Sequence, residues 1–189
     1  MKTSLKIIFL LVLICVCSVP IVLGKESSGA VTFTYKLEKI TTRSSNQIAL
    51  WIEDENGKYV KTVFATRFTA RGGFKKRPQA LSEWVKVSDW INATPEEVDA
   101  VSGPTQMAGM TKLIWNCIDS AGEPVAPGIY VYKIEGNLFR ESRVVWEGKI
   151  IVGRERNTSI AEPHYYPPDS TEESVLLEQV KAVYKPSRQ

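Results

Sequence analysis

The segment NQIALWIEDENGKYVKTVFATRF, residues 46–68, has the pattern of a β-hairpin. Ile48, Leu50 and Ile52 alternate with other residues and so share one face of a strand. Asn56-Gly57 supplies residues that tolerate positive φ, and Val60, Thr62 and Phe64 return along the partner. Such a unit cannot bury its apolar face alone, so the rest of the chain must supply a second layer. It offers one repeatedly. Val31, Phe33 and Tyr35 alternate with Thr32 and Thr34, and the stretches TKLIWNCID, GIYVYKIEG and SRVVWEGKIIVG follow after residue 110. Asp119-Ser120-Ala121-Gly122 and Pro127-Gly128 mark turns between them, and SVLLEQVKAVYKP alternates once more near the end. About seven strands with regularly spaced turns predict an all-β chain, an antiparallel β-sandwich. TSIAEPHYYPPDST predicts a proline-rich crossing at about 161–170, followed by a last edge strand at about 174–185.

The period breaks once, between residues 70 and 105, which reads as a helical and basic insertion. A glycine pair sits among Arg71, Lys75, Lys76 and Arg77, and Leu81, Trp84, Val85 and Val87 suit a short helix. A second helix is predicted from Thr94 as N-cap, Pro95 at the first helical position, and Glu96 and Glu97 in the first turn. It leaves through DAVSGPT, residues 99–105, by way of Ser102-Gly103 and a turn at Pro104.

Residues 1–24 have the parts of a secretory leader: Lys2 and Lys6, an apolar run from Ile7 to Val16, and Val22, Leu23 and Gly24 before an expected cleavage site. Cleavage after Gly24 leaves residues 25–189 as a single domain with no transmembrane span. It removes two lysines and no acid, so the net charge of +3 falls to +1 and nothing points to a nucleic-acid partner. Of three cysteines only Cys117 then remains, which excludes an intrachain disulfide and a cysteine metal cluster; Cys117 reads as a buried small hydrophobe.

WNCIDSAGEPVAPGIYVYKIEG resembles the tryptophan, acidic turn and tyrosine hairpin of immunoglobulin-like domains such as that of the flagellar hook-capping protein. Trp115 and Tyr130 are expected to fill the core between the sheets. Taken with IALWIEDENGKYVKTV and DAVSGPT, the order of features, roughly Val31 to Val152, resembles an exported bacterial family of unknown function described as predicted periplasmic, of the DUF2271 kind. The motif is also similar to the acceptor signature of exported flavoproteins, in which a flavin transferase joins FMN to a threonine hydroxyl through a phosphoester. That resemblance implies Thr105 as the point of attachment, with Asp99, Ser102 and Gly103 as recognition residues and Pro104 where the pattern has alanine. A flavin phosphate there would be neutralised by Arg71, Lys75, Lys76 and Arg77, and Phe74, Trp84 or Trp90 would offer faces for the ring.

The implied function is extracytoplasmic: an electron carrier or accessory that bears covalent FMN and serves a membrane electron-transfer partner, without being a catalyst by itself. Two other readings stand beside it, a non-redox binding or structural module of the cell envelope and a hydrolase built on carboxylates alone. The single histidine, His164, sits in AEPHYYPP and reads as a surface loop residue, and no nucleophile elbow accompanies it. Asp54, Glu55 and Asn56 are accounted for by their turn, and Asn157-Thr158-Ser159 matches a glycosylation sequon that matters only in a eukaryotic host.

Overall fold

A computed structural model of the chain describes residues 29–38, 46–139, 142–168 and 176–187. The leader, its cleavage site, residues 169–170 of the proline-rich segment and the first two residues of the expected last strand lie outside the described residues. Among the described residues ten strands form two sheets: β1 (Gly29–Leu37), β2 (Gln47–Asp54), β3 (Tyr59–Thr66), β4 (Ser102–Gly103), β5 (Gly109–Trp115), β6 (Gly128–Phe139), β7 (Ser142–Val152), β8 (Asn157–Ile160), β9 (Glu162–Tyr166) and β10 (Leu177–Pro186). One sheet has the order β5-β1-β10-β8 and the other β4-β3-β2-β6-β7-β9. All pairings are antiparallel except β3 with β4, which is parallel.

The sandwich follows from period-two burial. Val31, Phe33, Tyr35 and Leu37 of β1 face Ile48, Leu50 and Ile52 of β2 and Tyr132 and Ile134 of β6 across one core. Trp115 and Tyr130 pack there edge to face, with ring centroids 5.3 Å apart. Each satisfies its polar atom locally: Trp115 Nε1 donates to Ile118 O and the Tyr130 hydroxyl to Ala126 O, both at 2.7 Å. Cys117 is fully buried beside them, and burial pushes its thiol up to about 12. Two turns share one construction. The Asp54 carboxylate accepts from the N–H groups of Asn56 and Lys58, that of Asp119 from Ala121 and Glu123, and Gly57 and Gly122 take the positive φ that each turn requires.

The insertion builds a third layer on the outer face of the six-stranded sheet. It comprises α1 (Arg67–Ala70), α2 (Ser82–Val87), α3 (Pro95–Val101) and two 3₁₀ turns at Gly73–Lys75 and Trp90–Asn92. Leu81, Trp84 and Trp90 pack on Ala49, Trp51, Ala65 and Val145 in a second core. The expected start of α3 is present as a full capping box, in which Thr94 Oγ1 accepts from Glu97 N at 3.2 Å and Glu97 Oε2 from Thr94 N at 2.8 Å.

Four sequence expectations need correction. The last strand is not at an edge: β10 runs between β1 and β8, because order along the chain does not fix order in a sheet, and Val180, Ala182 and Tyr184 fill the core. The proline-rich segment is not only a crossing, since Glu162–Tyr166 forms edge strand β9 against β7, with Pro163 where an edge tolerates it. His164 is therefore exposed on a strand and not in a loop. Thr62 does not share a face with Phe64, because the β2–β3 register slips at Leu50/Trp51 and turns Thr62 under the insertion.

Candidate functional site

The motif DAVSGPT begins on α3 and ends in the link to β5. Its residues are held by distinct contacts. Asp99 is exposed and pairs with Arg71 across the insertion, Nη2 to Oδ1 at 2.7 Å. The Ser102 hydroxyl donates to Val98 O at 2.7 Å and so closes the helix end. Ser102 and Gly103 then form β4, beside Ala65 and Thr66 of β3. The helix exit is therefore a two-residue parallel strand; Ser102 has ψ of 116°, extended backbone in place of a left-handed cap. Gly103 is required by packing. A Cβ there would stand 2.3 Å from Phe64 Cε2, and the Phe64 ring belongs to the main core.

Thr105 follows exposed Pro104 and is itself exposed. The next residue is anchored again: the Tyr35 hydroxyl donates to Gln106 Oε1 at 2.5 Å, and Asn46 Nδ2 to Gln106 O at 3.3 Å. Burial, opposed by the Gln106 contact, raises the Tyr35 pKa and keeps that hydroxyl a donor. The Thr105 hydroxyl thus sits on a short bridge tied at both ends, while the Ser102 hydroxyl is consumed inside the fold.

The basic residues do not act as one cluster. Arg71 and Lys75 line a groove of about 380 Å³ with Gly72, Phe74, Trp90, Ile91 and Asp99, among others. Lys76 is exposed and is not part of that lining, and neither is Thr105. Arg77 turns toward the sheet, where Nη2 donates to Asn137 Oδ1 at 3.2 Å and its guanidinium lies 6.0 Å from the centre of the Phe68 ring. Of the three aromatics expected to offer a ring face, Trp84 is fully buried, with its indole N–H given to Thr62 Oγ1 at 2.9 Å. It has no face to offer a ligand, because α2 needs it to cover the sheet. Trp90 is 5% exposed and packs against Trp84 with ring centroids 4.7 Å apart and planes tilted by 42°, and Phe74 is half-buried; both border the groove.

A charged layer between the sheet and the insertion escaped the sequence reading. Lys133 of β6 lies 3.3 Å from Glu53, 3.6 Å from Glu83 and 3.5 Å from Glu147. Burial lowers its pKa, but these carboxylates outweigh burial and the net direction is up. Glu135, also on β6, is fully buried and stands at the start of α2, which has no side-chain cap of its own. It accepts from Trp84 N at 2.9 Å and Glu83 N at 3.5 Å, with Arg143 Nη1 at 3.8 Å. Arg143 also donates to the Ser82 hydroxyl and lies 4.5 Å above the Tyr166 ring. Burial raises Glu135 to about 7, against the pull of the Trp84 and Glu83 N–H groups and of Arg143. Lys133, Glu135 and Asn137 alternate with Tyr132 and Ile134, which in sequence reads as an ordinary solvent face; only the insertion above them makes it an interior.

Fold and motif together define a two-sheet sandwich under a helical cap, with one hydroxyl presented beside that cap. The chain belongs to the family described as predicted periplasmic protein (DUF2271), whose model matches residues 30–166. That match agrees with the extracytoplasmic location expected from the leader, and it stops before β10, the strand that joins β1 to β8. Among the described residues no helix is long and apolar enough to cross a membrane. Neither a curated protein nor a solved structure gave a match to this chain.

Proposed function

We propose that this protein is an extracytoplasmic electron carrier or accessory that bears FMN as a phosphoester on Thr105 and passes electrons to or from a membrane partner. The observation that carries the reading is the presentation of Thr105: exposed, and bridged between β4, held on β3, and Gln106, held by Tyr35 and Asn46. An acceptor hydroxyl has to enter another enzyme's active site, and a loop fixed at both ends reaches outward without the entropy cost of ordering a free one. In the transfer, the Thr105 oxygen attacks the flavin-side phosphorus of a flavin dinucleotide. The new P–O bond forms as the pyrophosphate bond breaks, the nucleoside monophosphate leaves with the electron pair, and the hydroxyl proton passes to a base of the transferase.

Co-expression with a flavin transferase, read by intact mass, tests this. The expected result is a gain equal to one FMN less the water lost in forming the ester, and it is lost in Thr105→Val. An unchanged mass where the transferase modifies a known acceptor overturns it. A second reading, an envelope-binding module, draws on the exposed Met107, Met110 and Ile114, the last two on edge strand β5. Recovery of the same envelope partner by the protein and by Thr105→Val, with no flavin on either, favours that reading.

A further inference from the structure

We infer that the groove between the turn after α1 and helix α3 is the seat of the flavin ring, an inference that rests on the carrier reading above. Its lining includes Arg71, Phe74, Lys75, Trp90, Ile91 and Asp99. At about 380 Å³ it falls in the range of small-molecule sites, which run from about 300 to 1,000 Å³. The lining has the two chemistries that the ligand needs. Trp90 and Phe74 give aromatic surface, and the Trp90 indole N–H is already taken by Ala70 O at 2.9 Å, so the exposed sliver of that ring is apolar. Ile91 is 68% exposed at the mouth, a large apolar side chain with little protein cover.

Charge fits the same occupant. Arg71 and Lys75 stand against Asp99 alone, so the mouth keeps a positive excess for an anionic phosphodiester. Reach fits as well. Because β3 and β4 run parallel with Thr66 beside Gly103, α1 and the segment Pro104-Thr105 leave from neighbouring points. Helix α1 is four residues, about 6 Å at a rise of 1.5 Å per residue, and ends at Ala70 in the groove wall. A phosphate and a five-carbon ribityl chain from Thr105 span more than that length, enough for the ring to extend toward the groove. The same wall keeps one face of the ring against protein and the other open to a partner.

The test uses the full chain flavinylated by co-expression. Intact mass first reports attachment, and then flavin emission and its quenching by iodide are compared with those of free FMN. A ring seated on Trp90 and Phe74 is expected to emit several-fold less than free FMN and to be shielded from iodide. Ile91→Glu, a change at an exposed position, and Phe74→Ala are each expected to restore much of that emission with the attached mass unchanged, whereas Lys86→Glu on the exposed side of α2 leaves it quenched. Attached flavin that emits and quenches like free FMN, or emission indifferent to both groove variants, overturns the seat while the carrier reading survives. No attachment in an active system overturns both.

Discussion

Glu135 gives the sharpest test of how the insertion is held to the sheet. Its carboxylate is fully buried and serves as the missing N-cap of α2, yet its charged form is penalised enough to raise its pKa from 4.5 to about 7. At about 1.4 kcal/mol per tenfold, that shift corresponds to about 3 kcal/mol of linkage between protonation and folding. The sign is fixed by the direction. A carboxyl whose pKa is higher folded than unfolded favours the fold fully below pH 4.5, and that contribution is lost as the pH rises to about 7. Glu135→Gln keeps an acceptor for Trp84 N–H and has no proton to lose. It also leaves Arg143 without this carboxylate, although Ser82 and Tyr166 still hold the guanidinium. The stability difference between the two proteins, measured by urea unfolding from pH 4.5 to 8, is therefore expected to move in favour of Glu135→Gln by up to about 3 kcal/mol, with most of the change between pH 5 and about 7. A difference that stays constant across this range refutes the reasoning, as does one that moves in favour of the parent protein as the pH rises.

Two further outcomes follow from contacts in the motif and its helix. Gly103→Ala places a Cβ 2.3 Å from the Phe64 ring and is expected to destabilise the fold by about 1–3 kcal/mol in urea unfolding, an effect that Phe64→Leu reduces. Thr94→Ala removes the capping box of α3, whose residues are none of them buried, so about 1 kcal/mol is lost locally; amide exchange at Glu97 and Val98 is expected to quicken while global unfolding changes little.

The sandwich was legible because period-two alternation is a local property. Val31, Phe33 and Tyr35, or Ile48, Leu50 and Ile52, declare a buried face whatever lies opposite, and the Asp54 and Asp119 turns carry their own hydrogen bonds. The capping box of α3 was legible for the same reason, since Thr94 and Glu97 need only each other. The candidate hydroxyl was legible as a motif, but what sets Thr105 apart from Ser102 was not. Ser102 is consumed by Val98 O, and Thr105 is flanked by ties to β3, Tyr35 and Asn46, contacts between residues far apart in the chain.

The sequence by itself determined that the described residues would be largely strands, that one segment would break the pattern, and where its last helix begins. The tertiary structure decided which neighbours those strands take, so that the last one became interior and a proline-bearing segment became an edge. It also decided which polar residues are surface. Lys133, Glu135 and Arg143 have the sequence pattern of a wet face, yet Trp84, Trp90 and Leu81 roof that face and convert it into a paired, partly desolvated layer. The physical reason is that alternation reports only that two faces differ, whereas burial and charge pairing depend on what another part of the chain brings against each of them.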